Sequence, residues 1–141
     1  MARLKVTLKV RLILYYRGKI LLLRQTKPNG GNYTLVGGTI EPGETAKACL
    51  IRESYEEAGL IIKEKELKLV HVLQKMHKNE QRIVLYFKAY RWEGELKARE
   101  THKFKKAEWF SLQKLPKNMT PTVRKVIEHY RHGDLYSVMW Q

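Results

Sequence analysis

Apolar residues recur at every second position from Leu4 to Leu14, with Lys5, Thr7, Lys9 and Arg11 between the first of them. That two-residue period predicts a long half-buried strand over residues 4–16. Arg17-Gly18-Lys19 is a turn signal, and residues 20–24 form a second apolar strand, so the two are expected to pair as a hairpin. Residues 27–32 are loop by composition, and residues 33–36 form a short strand ending at Gly37-Gly38. A second loop over 41–45 leads into a helix over 46–58, with Thr45 as N-cap and Gly59 as the C-terminal stop. Ala48, Ile51, Tyr55 and Ala58 fall at helical spacing and are expected to face the core. Residues 67–76 and 81–92 read as two strands joined at Lys78-Asn79-Glu80. The run Ile83-Val84-Leu85-Tyr86-Phe87 marks the second as central. Residues 94–103 are polar and loop-like, and 107–110 form another short strand. Residues 121–131 form a closing helix with Val123, Val126, Ile127 and Tyr130 on one side, and the apolar tail 136–141 is expected to dock onto the body. Strands, helix, strands, helix is the order of an α/β (α+β) fold, a mixed sheet with helices packed on it.

Composition bounds this picture. The 141 residues suit one domain, 1–141, and with 43% hydrophobic residues the chain needs no disulfide or structural metal to fold. A single cysteine, Cys49, excludes an intrachain disulfide, fits a reducing compartment and reads as a small packing residue. The N-terminus lacks the apolar block of a signal peptide, and no apolar run is long enough to span a bilayer. The expectation is a soluble cytoplasmic protein without a membrane partner. The five histidines form no convincing site; His129 and His132 sit at a helix end, where cationic His is favoured.

Charge changes the picture more. Twenty-eight basic residues against fourteen acids give +14, a balance that suits nucleotides, RNA or other anions, although lysine is also a common surface residue. Within this basic chain, five of the fourteen acids fall in seventeen residues: Glu41, Glu44, Glu53, Glu56 and Glu57. Glu53, Glu56 and Glu57 share one helical face, where like charges at these spacings cost roughly 0.2–0.5 kcal/mol per pair. They also lie near the helix C-terminus, where the dipole disfavours anions. A solvated face paired with Lys and Arg would account for such acids; so would a hard divalent cation held among them.

The spacing discriminates. From Gly38 the chain runs five residues to Glu44, seven more, then Arg52-Glu53-Ser54-Tyr55-Glu56-Glu57-Ala58-Gly59-Leu60. This resembles the Nudix box, Gly-x5-Glu-x7-Arg-Glu-U-x-Glu-Glu-x-Gly-U, with U a bulky aliphatic residue. All fixed positions match; Ser54 departs at one U position, which weakens packing under the helix but touches no ligand. The wider order of elements, including the Glu108-Trp109 pair and the final helix, is similar to MutT-like Nudix proteins.

The resemblance implies a Nudix fold, a mixed β-sheet sandwiched between α-helices, and a Mg²⁺-dependent (or Mn²⁺-dependent) hydrolase of phosphoric anhydrides. Glu53, Glu56 and Glu57 match its metal-binding carboxylates, and the Gly38 carbonyl matches a backbone ligand. Arg52 matches the arginine that orients the carboxylates, and Glu44 the acid that ties loop to helix. Gly37, Gly38, Gly43 and Gly59 match positions where a Cβ would hinder the backbone. Glu57 or Glu53 is a candidate general base on the helix, and Glu100 a candidate in the loop after the long strands. Arg24, and less so Lys27, are candidates for a substrate phosphate. Tyr33 and Leu35 are candidates for a base pocket, though core burial is the commoner role of such strand residues. Val36 stands where enzymes acting on 8-oxo-guanine nucleotides usually carry proline, which points away from that substrate. A nucleoside triphosphate pyrophosphatase, yielding monophosphate and pyrophosphate, is the first reading. The alternatives are another nucleoside-diphosphate-linked substrate (an RNA 5′-triphosphate or cap, a dinucleoside polyphosphate, a nucleotide sugar) and, remotely, an inactive binding module. A homodimer is compatible, since many relatives are dimers.

Overall fold

The computed structural model describes residues 3–141, so the first two residues of the expected domain 1–141 lie outside the described residues. Eight strands and two longer helices follow in the order β1 (Lys5–Tyr16), β2 (Lys19–Gln25), β3 (Tyr33–Thr34), β4 (Gly37–Thr39), α1 (Ala46–Ala58), β5 (Lys68–Met76), β6 (Glu80–Ala89), β7 (Phe104–Ser111), α2 (Pro121–Arg131) and β8 (Tyr136–Trp140). The strands run β3-β2-β1-β6-β5-β8, with β4 also on β1 and β7 also on β2.

The expected β1–β2 hairpin forms, but only at its tip. Arg17 and Gly18 both take positive φ (51° and 79°), as a tight primed turn requires. Only Tyr15↔Ile20 and Tyr16↔Lys19 then pair. Beyond the tip the strands part. β1 turns to β6 for a parallel ladder from Lys5↔Glu80 to Leu14↔Ala89, while β2 pairs antiparallel with β7. As the sequence pattern predicts, β6 is central, between β1 and β5. The apolar tail becomes β8, parallel to β5 at the sheet edge. The strand expected over 33–36 breaks after Thr34, and the strand expected over 81–92 ends at Ala89.

Alternation along β1 sends its two faces into two cores. Val10, Leu12 and Leu14 pack with Phe87, Cys49 and Leu50 under α1; Ile13 packs with Leu73, Val84 and Tyr86 under α2. The mixed sheet therefore lies between helices, and burying each large aliphatic side chain contributes roughly 1.5–3 kcal/mol. Among the described residues no helix is long and apolar enough to cross a membrane.

One expectation about α1 holds only in part: Ala58 is buried and Ile51 packs against the core, but the other two positions do not. The buried face of α1 is Cys49, Leu50, Ser54, Glu57 and Ala58, whereas Ala48 and Tyr55 point outward. Tyr55 is 50% exposed and carries the Arg99 guanidinium 4.4 Å over its ring. Apolar periodicity misses this face because two of its inward positions are polar.

Candidate active site

The loop before α1 is locked to the helix by a few short contacts. The Thr45 side chain accepts from Ala48 N–H at 3.1 Å, capping the first turn as its position predicts. Glu44 Oε1 accepts from Glu41 N–H, and both Glu44 oxygens accept from Arg52, Nε at 2.8 Å and Nη2 at 3.0 Å. This two-pronged pairing holds the Glu44 carboxyl down at about 2, with Arg52 as the main cause. The same guanidinium donates from Nη1 to Glu53 Oε1 (2.7 Å) and Glu56 Oε2 (3.3 Å). With Glu41 Oε1 also 3.7 Å from Nη2, Arg52 thus ties four of the clustered acids to one cation. At the far end Gly59 closes α1 at φ 70°, bonded to the carbonyls of Ser54 and Tyr55. Gly43 also sits at positive φ (79°).

The glycine pair of β4 lies under the acids. Gly37 N–H donates to Glu57 Oε1 at 2.9 Å. A Cβ on Gly38 would sit 2.6 Å from the Glu53 carboxyl carbon, so only glycine lets the carboxylate lie on the backbone. Glu57 is 3% exposed, and burial pushes its carboxyl up to about 8; the Gly37 N–H opposes this and the charge of Glu53 adds to it. Glu53 is also raised, first by burial. Glu100 comes in from the loop before β7, close enough for its charge to raise both Glu53 and Glu57, and its Oε1 is buried with no partner.

These residues fit a hard divalent cation. The oxygens are carboxylates and a backbone carbonyl, as Mg²⁺ and Mn²⁺ prefer. Glu57 and Glu100 are desolvated acids that lack a cationic partner at hydrogen-bonding distance among the described residues. No three acids, histidines or cysteines among the described residues already converge at ligand distance: Glu53 and Glu56 turn to Arg52, and Glu57 to Gly37. Coordination therefore calls for side-chain rotation toward a shared point.

The candidate substrate residues scatter. Arg24 lies 5.6 Å over the Tyr33 ring, and Tyr33 donates to Glu108 Oε2 at 2.7 Å. Lys27 is exposed on a 3-10 turn. Leu35 is fully buried in the α2-side core. What the sequence reading missed is a basic cavity of about 180 Å³ containing Lys9, Arg11, Lys75 and Arg82. Arg11 connects it to the acids: its side chain packs on Gly37 and its charge acts on Glu57. The available signal was two cations on one face of β1 whose opposite face is apolar.

Similarity to known proteins agrees with the box. The NUDIX domain family matches residues 6–130. An ADP-ribose pyrophosphatase of Methanocaldococcus jannaschii is 38% identical over 113 residues, 79% of this chain and 65% of that protein. An NAD-capped RNA hydrolase NudC of Pseudomonas fluorescens is 33% identical over 106 residues, 74% of this chain and 37% of that protein. The chain thus spans less than two thirds of the length of these relatives. In fold it is similar to a MutT NUDIX hydrolase from Burkholderia pseudomallei (TM-score 0.79, 24% identity, 88% of this chain and 97% of that one). It is similar also to a MutT protein from Methanosarcina mazei (TM-score 0.78, 20% identity, 94% and 97%). With every fixed position of the box matched, the sheet and helices in place and the family match covering residues 6–130, this protein belongs to the Nudix family.

Proposed function

We propose that this chain hydrolyses a phosphoric anhydride in a nucleoside-diphosphate-linked substrate, with Mg²⁺ or Mn²⁺ held by Glu53, Glu56, Glu57 and the Gly38 carbonyl. The observation that carries the reading is the buried, raised Glu57 set beside Glu53 and Glu100. Such a cluster is costly unless positive charge joins it. The relatives' names, ADP-ribose pyrophosphatase and NAD-capped RNA hydrolase, support a diphosphate bridge between a nucleoside and another group more than a free triphosphate.

When bound, the cation lowers the pKa of its water and neutralises charge on phosphoryl oxygens. The chain supplies the rest. Arg52 keeps Glu53 and Glu56 on one side of the helix. Glu57 Oε1 is engaged by Gly37 N–H, which leaves Oε2 to take a proton from the attacking water. The water oxygen bonds to phosphorus, the bridging P–O bond breaks, and its electron pair leaves on the departing phosphate. Glu100 is the alternative proton acceptor.

The test is a panel of ADP-ribose, NAD and the nucleoside triphosphates with Mg²⁺, products separated chromatographically. AMP and ribose 5-phosphate from ADP-ribose, faster than pyrophosphate from any triphosphate, is the expected result. Preferred release of pyrophosphate would restore the triphosphate reading. No turnover of any phosphoanhydride would overturn both.

A further inference from the structure

We propose that the basic cavity beside the acids is a second anion subsite, which holds a phosphate ester carried by the substrate away from the anhydride that is cut. The assignment to a substrate rests on the function proposed above; the assignment of the cavity to phosphate does not.

Three strands, β1, β5 and β6, supply its four cations, and the start of α2 adds to its wall. Alternation along β1 puts Lys9 and Arg11 on one face, and the ladders set Arg82 on β6 directly opposite Lys75 on β5. Like charges directly opposite in a sheet are destabilising. Among the described residues Lys75 Nζ has only the Thr122 hydroxyl, at 3.0 Å. Glu80 reaches Arg82 Nη2 at 3.5 Å and is itself engaged by the Thr7 hydroxyl. No acid lines the cavity.

Two buried polar atoms there, Arg82 Nε and Thr120 Oγ1, have no partner among the described residues. Such orphans are uncommon in native folds and call for a ligand. Thr120 is also the N-cap of α2, whose first turn has no side-chain cap and no acid. The positive end of that helix adds to the four cations. Burial first, and then repulsion from the neighbouring cations, lowers both Lys9 and Lys75 from the ordinary lysine value.

Size selects the anion. About 180 Å³ is smaller than the roughly 300–1,000 Å³ of an ordinary ligand pocket, so a compact, highly charged group such as a phosphate fits better than a nucleoside. Its position selects the source. The Arg11 side chain packs on Gly37, whose N–H binds Glu57, so the cavity and the acids share one glycine, and a phosphate ester next to the anhydride is the group that would bridge them.

Two measurements decide this. The first compares substrates that differ by one phosphate, NADPH with NADH and coenzyme A with dephospho-coenzyme A, under Mg²⁺. The phosphorylated member of each pair should have at least tenfold higher kcat/KM, and Lys75→Gln with Arg82→Gln should bring the ratio to about one. Equal kcat/KM within each pair, or a preference shown by NAD-capped RNA and not by NADPH, would overturn the substrate assignment, the latter in favour of a phosphodiester chain. The second titrates the metal-free protein with inorganic phosphate and follows thermal unfolding. A saturable rise in Tm, abolished in the double variant and kept in the exposed control Lys105→Gln, supports the subsite. The same rise in wild type and double variant, or none in wild type, overturns it. Absence of all turnover would sink the proposed function and leave this second measurement to decide the cavity.

Discussion

The C-terminal half of α1 and the cavity at the start of α2 are opposites that teach the same lesson. One gathers Glu53, Glu56 and Glu57 near Glu100; the other gathers Lys9, Arg11, Lys75 and Arg82. Each holds like charges in partly desolvated surroundings, and each contains a buried polar atom without a partner. They differ in bracing. The acids have Arg52, which neutralises part of the cluster and fixes its side chains, whereas the bases have neutral partners, the Leu35 carbonyl for Arg11 and the Thr122 hydroxyl for Lys75, and one weakly placed glutamate. Local rules broken twice, a short distance apart and with opposite sign, are what a site for an anion bridged to a cation looks like.

Single substitutions test how far the two clusters differ. The largest effect is expected from Glu57→Gln in metal-free protein. Because the folded-state pKa of Glu57, about 8, lies above its ordinary 4.5, the folded state keeps a proton that the unfolded chain releases. Wild-type stability should therefore fall as pH rises from 4.5 to about 8, by at most about 5 kcal/mol from this group. The variant, which keeps an oxygen for Gly37 N–H, should lose that slope and melt higher than wild type at pH 8. Thermal unfolding across pH checks both. Gly38→Ala comes next: its Cβ would press on the Glu53 carboxyl, costing about 1–3 kcal/mol by overpacking, readable by denaturant unfolding, together with a fall in kcat. Arg52→Lys keeps the charge but not the fork that grips both oxygens of Glu44, so Tm should fall by a few degrees with the box helix loosened in hydrogen exchange. The smallest effect is expected in the other cluster. Lys75→Gln removes one of two opposed cations and should raise Tm slightly, by some tenths of a kcal/mol, in phosphate-free buffer. A fall in its place would mean that the four bases are not in mutual strain.

The acid half of the comparison was legible in the sequence because it is local. Box spacing within one loop and one helix placed Glu44, Arg52, Glu53 and Glu56 in contact, and Thr45 and Gly59 marked the helix ends. Which face of α1 is buried was not legible, since Ser54 and Glu57 point inward while Tyr55 points out beside Arg99. A count of apolar positions cannot register a buried glutamate whose partner is a backbone N–H. The basic half was hidden for a different reason. Lys9 and Arg11 lie some seventy positions from Lys75 and Arg82, and the parallel ladder of β1 on β6, with β5 beside it, joins them. Read alone, each looks like the solvent-facing polar position of an alternating strand. The separation of β1 from β2 beyond the hairpin tip, which opens that face, follows from long-range pairing that no local pattern encodes.

The most direct test of the central claim is the turnover of ADP-ribose by wild type and Glu57→Gln, side by side under saturating Mg²⁺. Wild type should yield AMP and ribose 5-phosphate, and the variant should be slower by at least about 10²-fold, the size expected when a positioned proton acceptor is lost. Turnover by the variant within a few-fold of wild type would contradict the account, because the buried carboxylate at the heart of the acid cluster would then have no part in the chemistry.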